Sequence, residues 1–140
     1  MASLVQFKSR NERAVTRSYR DLLVWQKGIE LVKEIYVLTR GFPDQERYGL
    51  ISQMRRAAVS VPSNIAEGQA RHTTREFIQF ISHAEGSLAE LDTQVRVSIE
   101  LGFCKGAMSE RTASVLQLAE ELRRMLNSLR RRLEGTAVKQ

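Results

Sequence analysis

Arginine is the residue type whose position and spacing best suit a chemical function in this chain. The arginines of interest form three groups, comprising Arg17 and Arg20, Arg71 and Arg75, and Arg130, Arg131 and Arg132. A guanidinium can donate two parallel hydrogen bonds to a phosphate, and several such contacts give salt-dependent binding to a nucleic-acid backbone. We therefore predict that these arginines contact nucleic acid. The alternative is that the basic segments only keep the protein soluble.

The positive charge is concentrated at the two termini. The net charge is +6, with +4 in residues 1–20, +3 in residues 120–140 and −1 in residues 21–119. Few aromatic residues lie near the basic segments, so contacts to the backbone are better supported than base stacking. Residues 1–18 show no helical spacing of apolar residues, which predicts a flexible basic arm.

Residues that could form a catalytic or metal site are sparse. A di-metal site in a helical bundle requires Glu-x-x-His on two helices, and no Glu here is followed three residues later by His. The single cysteine, Cys104, excludes an intrachain disulfide and a multi-cysteine zinc site. The chain also lacks a glycine-rich phosphate loop and a nucleophile elbow. We therefore predict that it is not an enzyme and needs no metal or cofactor.

No apolar run approaches the roughly 18 to 20 residues that a membrane span requires. The first residues do not have the charged and then apolar pattern of a secretion signal. These features predict a cytoplasmic protein without membrane contact.

The spacing of apolar residues, interrupted by glycine, proline and capping residues, predicts four helices. Their predicted limits are Asp21 to before Gly41, Asp44 to about Gly68, Thr73 or Thr74 to Gly102, and Ser109 to about Leu133. Long helices with short connections predict an all-α, antiparallel up-down-up-down four-helix bundle. The bundle would span residues 19–134, followed by a flexible tail at 135–140.

The first predicted helix has two apolar stripes, although one interior face requires only one. The first stripe is Leu22, Trp25, Ile29, Val32 and Tyr36, and the second is Val24, Leu31, Ile35 and Leu38. The surplus predicts that the protein is a homo-oligomer. In an up-down-up-down bundle, the start of the first helix, the turn between the second and third, and the end of the fourth lie together. The separate arginine groups should therefore form one basic end.

The second predicted helix contains Pro62, whose ring and missing N–H cost about 3 kcal/mol in a helix interior. This predicts a kink. The kink either only wraps the helix around the core or presents Arg55, Arg56, Asn64 and Glu67 to a partner subunit or ligand.

Antiparallel pairing around a turn near residue 71 places Arg56 near Glu85, and Glu67 near Arg75. Both are expected to be ion pairs at the surface. For Arg56 and Glu85, a partly buried network that fixes the helix register is the alternative.

The run Pro62-Ser63-Asn64-Ile65-Ala66-Glu67-Gly68 is the most specific motif in the sequence. With shorter matches between Tyr19 and Leu133, such as Leu23-Val24-Trp25-Gln26-Lys27, it resembles the bacterial four-helix-bundle family encoded in intervening sequences of 23S ribosomal RNA. The chain is more distantly similar to the accessory proteins of diversity-generating retroelements, basic pentameric bundles that assist a reverse transcriptase. The resemblance implies a bundle that assembles as a homopentamer.

Together, these features favour a non-enzymatic homo-oligomer that binds nucleic acid, structured RNA in particular, through its basic end. The alternative is a protein-interaction scaffold, or an accessory subunit of a nucleic-acid enzyme such as a reverse transcriptase.

Overall fold

A computed structural model describes residues 18–139, with side chains as far as Ala137. Within this range the chain forms four α-helices and no strand. The helices are α1 (Leu23–Thr39), α2 (Leu50–Gln69), α3 (Thr74–Glu100) and α4 (Met108–Lys139). Short 3-10 helices at Tyr19–Asp21 and Asp44–Glu46 precede α1 and α2. The predicted all-α fold with four long helices is confirmed.

Contacts between neighbouring helices pair early residues of one helix with late residues of the next. Between α1 and α2, the pairs are Gly28 with Pro62 and Tyr36 with Arg55. Between α2 and α3, they are Ser60 with Ser87 and Gly68 with Phe77. Between α1 and α4, they are Lys27 with Glu121 and Glu34 with Arg111. This order is the one that an antiparallel bundle requires.

Aliphatic side chains from all four helices fill the interior. Leu31, Met54, Leu91 and Leu122, one from each helix, have no solvent exposure. Burying a side chain of this size contributes about 1.5–3 kcal/mol to the free energy of unfolding. The interior therefore joins all four helices in one core.

The two apolar stripes of α1 have different environments. The second stripe, Val24, Leu31, Ile35 and Leu38, is completely buried. In the first stripe, Trp25 and Val32 are half-buried, whereas Ile29 and Tyr36 are 44% and 37% exposed. One stripe therefore belongs to the core, whereas of the other stripe Leu22 is buried and Ile29 and Tyr36 stay at the surface of the chain.

The predicted limits of α3 are confirmed by its caps. The Thr73 hydroxyl accepts a hydrogen bond from the Glu76 backbone N–H at 3.1 Å. At the other end Gly102 has a φ of +82°, and its N–H donates to Ile99 O while the Phe103 N–H donates to Ser98 O, both at 3.0 Å. This is a Schellman motif, which glycine adopts without steric cost.

The predicted starts of the first two helices are wrong. Asp21 does not cap α1; it lies in a 3-10 helix, where its carboxylate accepts from the Ser18 N–H. Asp44 also begins a 3-10 helix rather than α2. Gly49, with φ −111° and ψ −110°, interrupts the helical backbone before Leu50.

The predicted end of the fourth helix, at Leu133, is too early. Helix α4 continues to Lys139, so residues 135–139, assigned above to a flexible tail, are helical. The sequence there has no proline to end the helix. Gly135 lies inside α4, and the Thr136 hydroxyl donates back to the Arg132 carbonyl at 3.1 Å.

Pro62 lies in the interior of α2 and is buried. A Cβ atom added to Gly28 would lie 3.2 Å from Pro62 Cβ, so the missing side chain lets α1 approach the proline ring closely. The kink at this residue stays a prediction. What the structure adds is a packing role for the ring.

The predicted partners of Glu85 and Glu67 are wrong. Glu85 pairs with Arg130 on α4 at 2.8 Å, and Arg56 instead donates to Ser52 Oγ at 3.2 Å. Glu67 lies 3.9 Å from Arg71, one turn away, rather than pairing with Arg75. Ser60 contacts Ser87 at 2.8 Å, about five residues beyond the partner that a turn centred on residue 71 gives. The centre of the α2–α3 turn therefore lies later in the chain than residue 71. Residue numbers alone could not give its position.

Candidate nucleic-acid interface

One end of the bundle, which we call the basic end, contains the predicted arginine groups that the structure describes. It comprises the 3-10 helix Tyr19–Asp21, the turn at residues 70–73 and the last turns of α4. The 3-10 helix packs against α2, and the α2–α3 turn shares a groove with α4. The convergence of all three arginine groups stays a prediction, which the groove shared by Arg71 and Arg132 supports.

The groove at this end has a volume of about 520 Å³, and we call it the terminal groove. Its lining includes Arg71, Thr74, Phe77, Arg132, Leu133 and Thr136. Two basic side chains from separate elements therefore border one concave surface.

Three of the predicted phosphate-binding residues have no competing carboxylate within the described part of the chain. Arg75, Arg131 and Arg132 are exposed, and none forms an ion pair with any residue between 18 and 137. Their hydrogen-bond donors are available to a ligand. They are the described residues that best fit the predicted function.

Arg130 is different, because its guanidinium is held on three sides. Nε donates to Glu85 at 2.8 Å, Nη1 to Glu134 at 3.1 Å and Nη2 to Asn127 at 2.7 Å. The hydrogen bond to Glu85 raises the pKa of Arg130 above its ordinary value. Arg130 therefore joins α4 to α3, which is a structural role that sequence reasoning missed. The four-residue spacing from Glu134 was the available signal.

Arg71 and Arg20 are intermediate cases. The Arg71 guanidinium lies 4.7 Å from the centre of the Phe80 ring and 3.9 Å from the Glu67 carboxylate. Arg20 is exposed, and its Nε donates to Ser18 Oγ at 3.2 Å. Both side chains keep unused donors. Arg17 lies outside the described residues.

Arg55, assigned above to a structural or interface role, holds the end of α1. Its Nε donates to Thr39 Oγ1 at 2.9 Å, and Nη2 donates to the Tyr36 carbonyl at 3.3 Å. The guanidinium lies over the Tyr36 ring, 4.4 Å from its centre. A cation beside the last carbonyls of a helix stabilises its negative end. Arg56, by contrast, is exposed.

Along α3 and α4, other charged side chains are paired with each other. Arg96 donates to Asp92 at 2.9 Å, and Arg123 donates to Glu120 at 2.6 Å. These bonds raise the pKa values of Arg96 and Arg123, and the bond from Arg123 lowers the pKa of Glu120. The middle of the α3–α4 surface is therefore less suited to a phosphate than the basic end.

A family model described as "23S rRNA-intervening sequence protein" matches residues 20–128. The chain belongs to this family. The match includes α1, α2, α3 and most of α4. No curated protein matches the chain at a significant level.

In this member of the 23S rRNA-intervening sequence protein family, the Pro62–Gly68 segment packs against both neighbouring helices. Pro62 faces Gly28 of α1, and Ile65 is completely buried. A Cβ atom at Gly68 would lie 2.8 Å from atoms of Phe77 and Phe80 of α3. Close helix packing therefore explains Pro62, Ile65 and Gly68 of the motif.

Asn64 also has a structural role within this segment. Its amide Nδ2 donates to the Ser60 carbonyl at 2.8 Å and to Ser60 Oγ at 2.9 Å. Ser60 Oγ in turn shares a hydrogen bond with Ser87 Oγ at 2.8 Å. This short network joins α2 to α3. Asn64 therefore donates its amide hydrogens to groups within α2.

Residues 18–139 contain no group of three His, Cys, Asp or Glu side chains that could hold a metal ion. His72 and His83 are exposed, and His83 lies edge-on to Phe80. Cys104 is buried and unpaired as a thiol. None of the described helices has the length and apolar character needed to cross a membrane.

Proposed function

We propose that this protein is a non-enzymatic homo-oligomer that binds nucleic acid, structured RNA in particular, through its basic end. The observation that supports this most is the set of exposed arginines at one end of the bundle, Arg75, Arg131 and Arg132. They lack carboxylate partners among the described residues, and Arg71 and Arg20 lie on the same end. Such a surface contacts phosphates without reading base sequence.

The surface stripe of α1 supports the oligomer. Ile29 and Tyr36 are exposed on α1, and Val59 of α2 is 41% exposed. Val59 lies one turn from Arg55, whose guanidinium contacts Tyr36, so α1 and α2 present exposed apolar side chains on the same side of their junction. Burying this surface against a second copy would remove it from water.

We propose a closed pentameric ring, following the family resemblance. A closed cyclic arrangement places the same end of every copy on one face. Five copies of a chain with a net charge of +6 would then present a strongly basic face to one ligand. Several weak sites on one face bind much more tightly than one site alone.

Fluorescence anisotropy with the purified full-length protein tests nucleic-acid binding. A structured RNA and a DNA duplex are titrated at several salt concentrations, using the wild type and the triple variant Arg75→Gln, Arg131→Gln, Arg132→Gln. We expect the wild type to bind RNA tightly at low salt. The affinity of the variant should be lower by about tenfold or more. The slope of log K against log salt should fall in magnitude by about 2 to 3 when three phosphate contacts are lost.

A matched control removes the same charge from the opposite end of the bundle. Arg40, Arg47 and Lys105 are exposed there, and changing all three to Gln should leave the affinity and the salt slope almost unchanged. Equal losses in both triple variants would show that only the net charge matters. If the folded wild-type protein does not bind RNA at low salt, the proposal fails, and the accessory-subunit alternative becomes the one to pursue.

A further inference from the structure

The terminal groove combines two guanidinium groups with apolar side chains in a cavity of limited size. Arg71 comes from the α2–α3 turn and Arg132 from α4, and both line the groove. Phe77 and Leu133 also line it, and each is only 8% exposed. A site that needs only phosphate contacts has no use for an apolar wall. The groove is therefore suited to a ligand with an anionic part and an apolar part.

The two arginines are poised for an anion. The ring of Phe80 holds the Arg71 guanidinium in place, which reduces the side-chain entropy lost on binding. Arg132 has no ion pair with the described residues, although Arg130 two positions earlier has three partners. Among the described residues, Arg71 pairs with the Glu67 carboxylate at 3.9 Å. The described residues therefore balance the positive charge of the groove only in part.

The size of the groove limits what can enter it. Its volume of about 520 Å³ lies within the range of roughly 300–1,000 Å³ that is typical of small-molecule sites. A nucleic-acid duplex is too wide to enter a cavity of this size, whereas one unpaired nucleotide is of suitable size. We infer that the terminal groove binds a single nucleotide unit, with its phosphate between Arg71 and Arg132 and its nucleoside against Phe77 and Leu133.

This inference deepens the proposed function and rests on it. It specifies that an unpaired nucleotide, such as one in a loop, bulge or strand end, enters the protein, while the exposed arginines contact the neighbouring backbone. RNA recognition commonly uses such unpaired nucleotides, because their bases are accessible. The Thr74 hydroxyl, also in the lining, is available to hydrogen-bond the phosphate.

Saturation-transfer NMR with the full-length protein tests the groove directly, since it detects weak ligands of a large assembly. The probes are adenosine 5′-monophosphate, adenosine and inorganic phosphate. We expect the nucleotide to bind, with transfer to its base and ribose protons. Adenosine should bind more weakly, and inorganic phosphate should displace the nucleotide only at much higher concentration.

The variant Arg132→Gln should weaken nucleotide binding by about tenfold to a hundredfold, because a charge-assisted hydrogen-bond pair is lost. Arg40→Gln is the matched control, since Arg40 is an exposed arginine at the opposite end of the bundle and does not line the groove. It should leave nucleotide binding unchanged. Thermal unfolding of both variants should match the wild type, because both side chains are exposed.

Absence of nucleotide binding at millimolar concentration would overturn the inference, as would equal effects of the two variants. If inorganic phosphate competes as well as the nucleotide does, the groove is an anion site only and the nucleoside contact is wrong. These failures are distinguishable from failure of the proposed function. In those cases the RNA titration would still respond to the basic-end triple variant and not to its control.

Discussion

At the scale of single residues, alanine substitutions at two glycines should change the free energy of unfolding in opposite directions. The glycines are Gly68 of α2 and Gly86 of α3. A Cβ atom at Gly68 would lie 2.8 Å from Phe77 Cδ1 and Phe80 Cβ, and 3.3 Å from the Phe77 carbonyl. Because the backbone carbonyl cannot move away easily, Gly68→Ala should lower the free energy of unfolding by about 1–3 kcal/mol. Urea denaturation followed by circular dichroism measures this.

Gly86 is the control for that experiment. It lies inside α3, and a Cβ atom there would have no neighbour within 4 Å. Gly86→Ala should therefore raise the free energy of unfolding by about 0.5–1 kcal/mol, since alanine favours the helix. If both substitutions change stability in the same direction, close packing at Gly68 is not the reason for glycine there.

Arg130 and Arg131 give a second prediction at this scale, because they are adjacent but have different partners. Arg130→Gln leaves the Glu85 carboxylate, which is 23% exposed, without its cation. We expect a loss of about 1–3 kcal/mol in the free energy of unfolding. Arg131→Gln removes an exposed side chain and should change it by less than about 0.5 kcal/mol. Equal denaturation midpoints for the two variants would contradict the structural role of Arg130.

The contrast between Arg130 and Arg131 shows how much of a single residue's environment the sequence predicts. The sequence predicts that a run of three arginines near the end of a helix is basic and near the surface. It does not predict which of them meets Glu85, because successive residues point about 100° apart around a helix and the facing register is set by tertiary packing. The same uncertainty of register produced the wrong pairing of Arg56 with Glu85.

At the scale of helices, the junction of α1 and α2 depends on the shape of one side chain. Arg55 makes two hydrogen bonds to the end of α1 while stacking on Tyr36. Lysine keeps the charge but lacks the planar fork, so Arg55→Lys should lower the free energy of unfolding by about 1 kcal/mol. Arg56→Lys is the matched control, since Arg56 is exposed, and it should be neutral. Differential scanning calorimetry would show a lowered Tm for the first variant alone.

Helix limits could be predicted where a local signal determines them. Thr73 and Gly102 satisfy backbone groups at the two ends of α3, and both were recognised from residue type. Asp44 and Asp21 have the same capping chemistry, yet they lie in 3-10 helices, because Gly49 and Ser18 settle the local backbone instead. A capping residue shows that a turn of helix can start, and the residues that follow decide whether it continues.

At the scale of the whole molecule, the surplus of apolar residues on α1 was predictable, but its location was not. Two stripes on one helix indicated that one would face outward. Only the structure shows that Ile29 and Tyr36 of the first stripe are exposed, as is Val59 of α2.

These exposed apolar residues give a prediction about assembly. Ile29→Gln combined with Val59→Gln should keep the helical circular-dichroism spectrum while light scattering shows a smaller assembly. Val97→Gln combined with Leu101→Gln changes one exposed apolar residue of α3 and the residue that follows its end, which are 41% and 56% exposed, and should leave the mass unchanged. If assembly persists in the first variant, the α1–α2 surface is not the contact between copies.

The same double variant should also weaken RNA binding, although neither substitution touches an arginine. Each copy keeps its basic end, so the intrinsic affinity of one copy for RNA should be the same as in the wild type. Binding should therefore still be measurable at high protein concentration. The loss should instead come from avidity, where linked sites gain about 100-fold to 10,000-fold over one site. Restoring the affinity by immobilising the variant densely on a surface would identify multivalency as the cause. If RNA binding is unchanged once the assembly is broken, one basic end is sufficient, and multivalency does not contribute to the affinity.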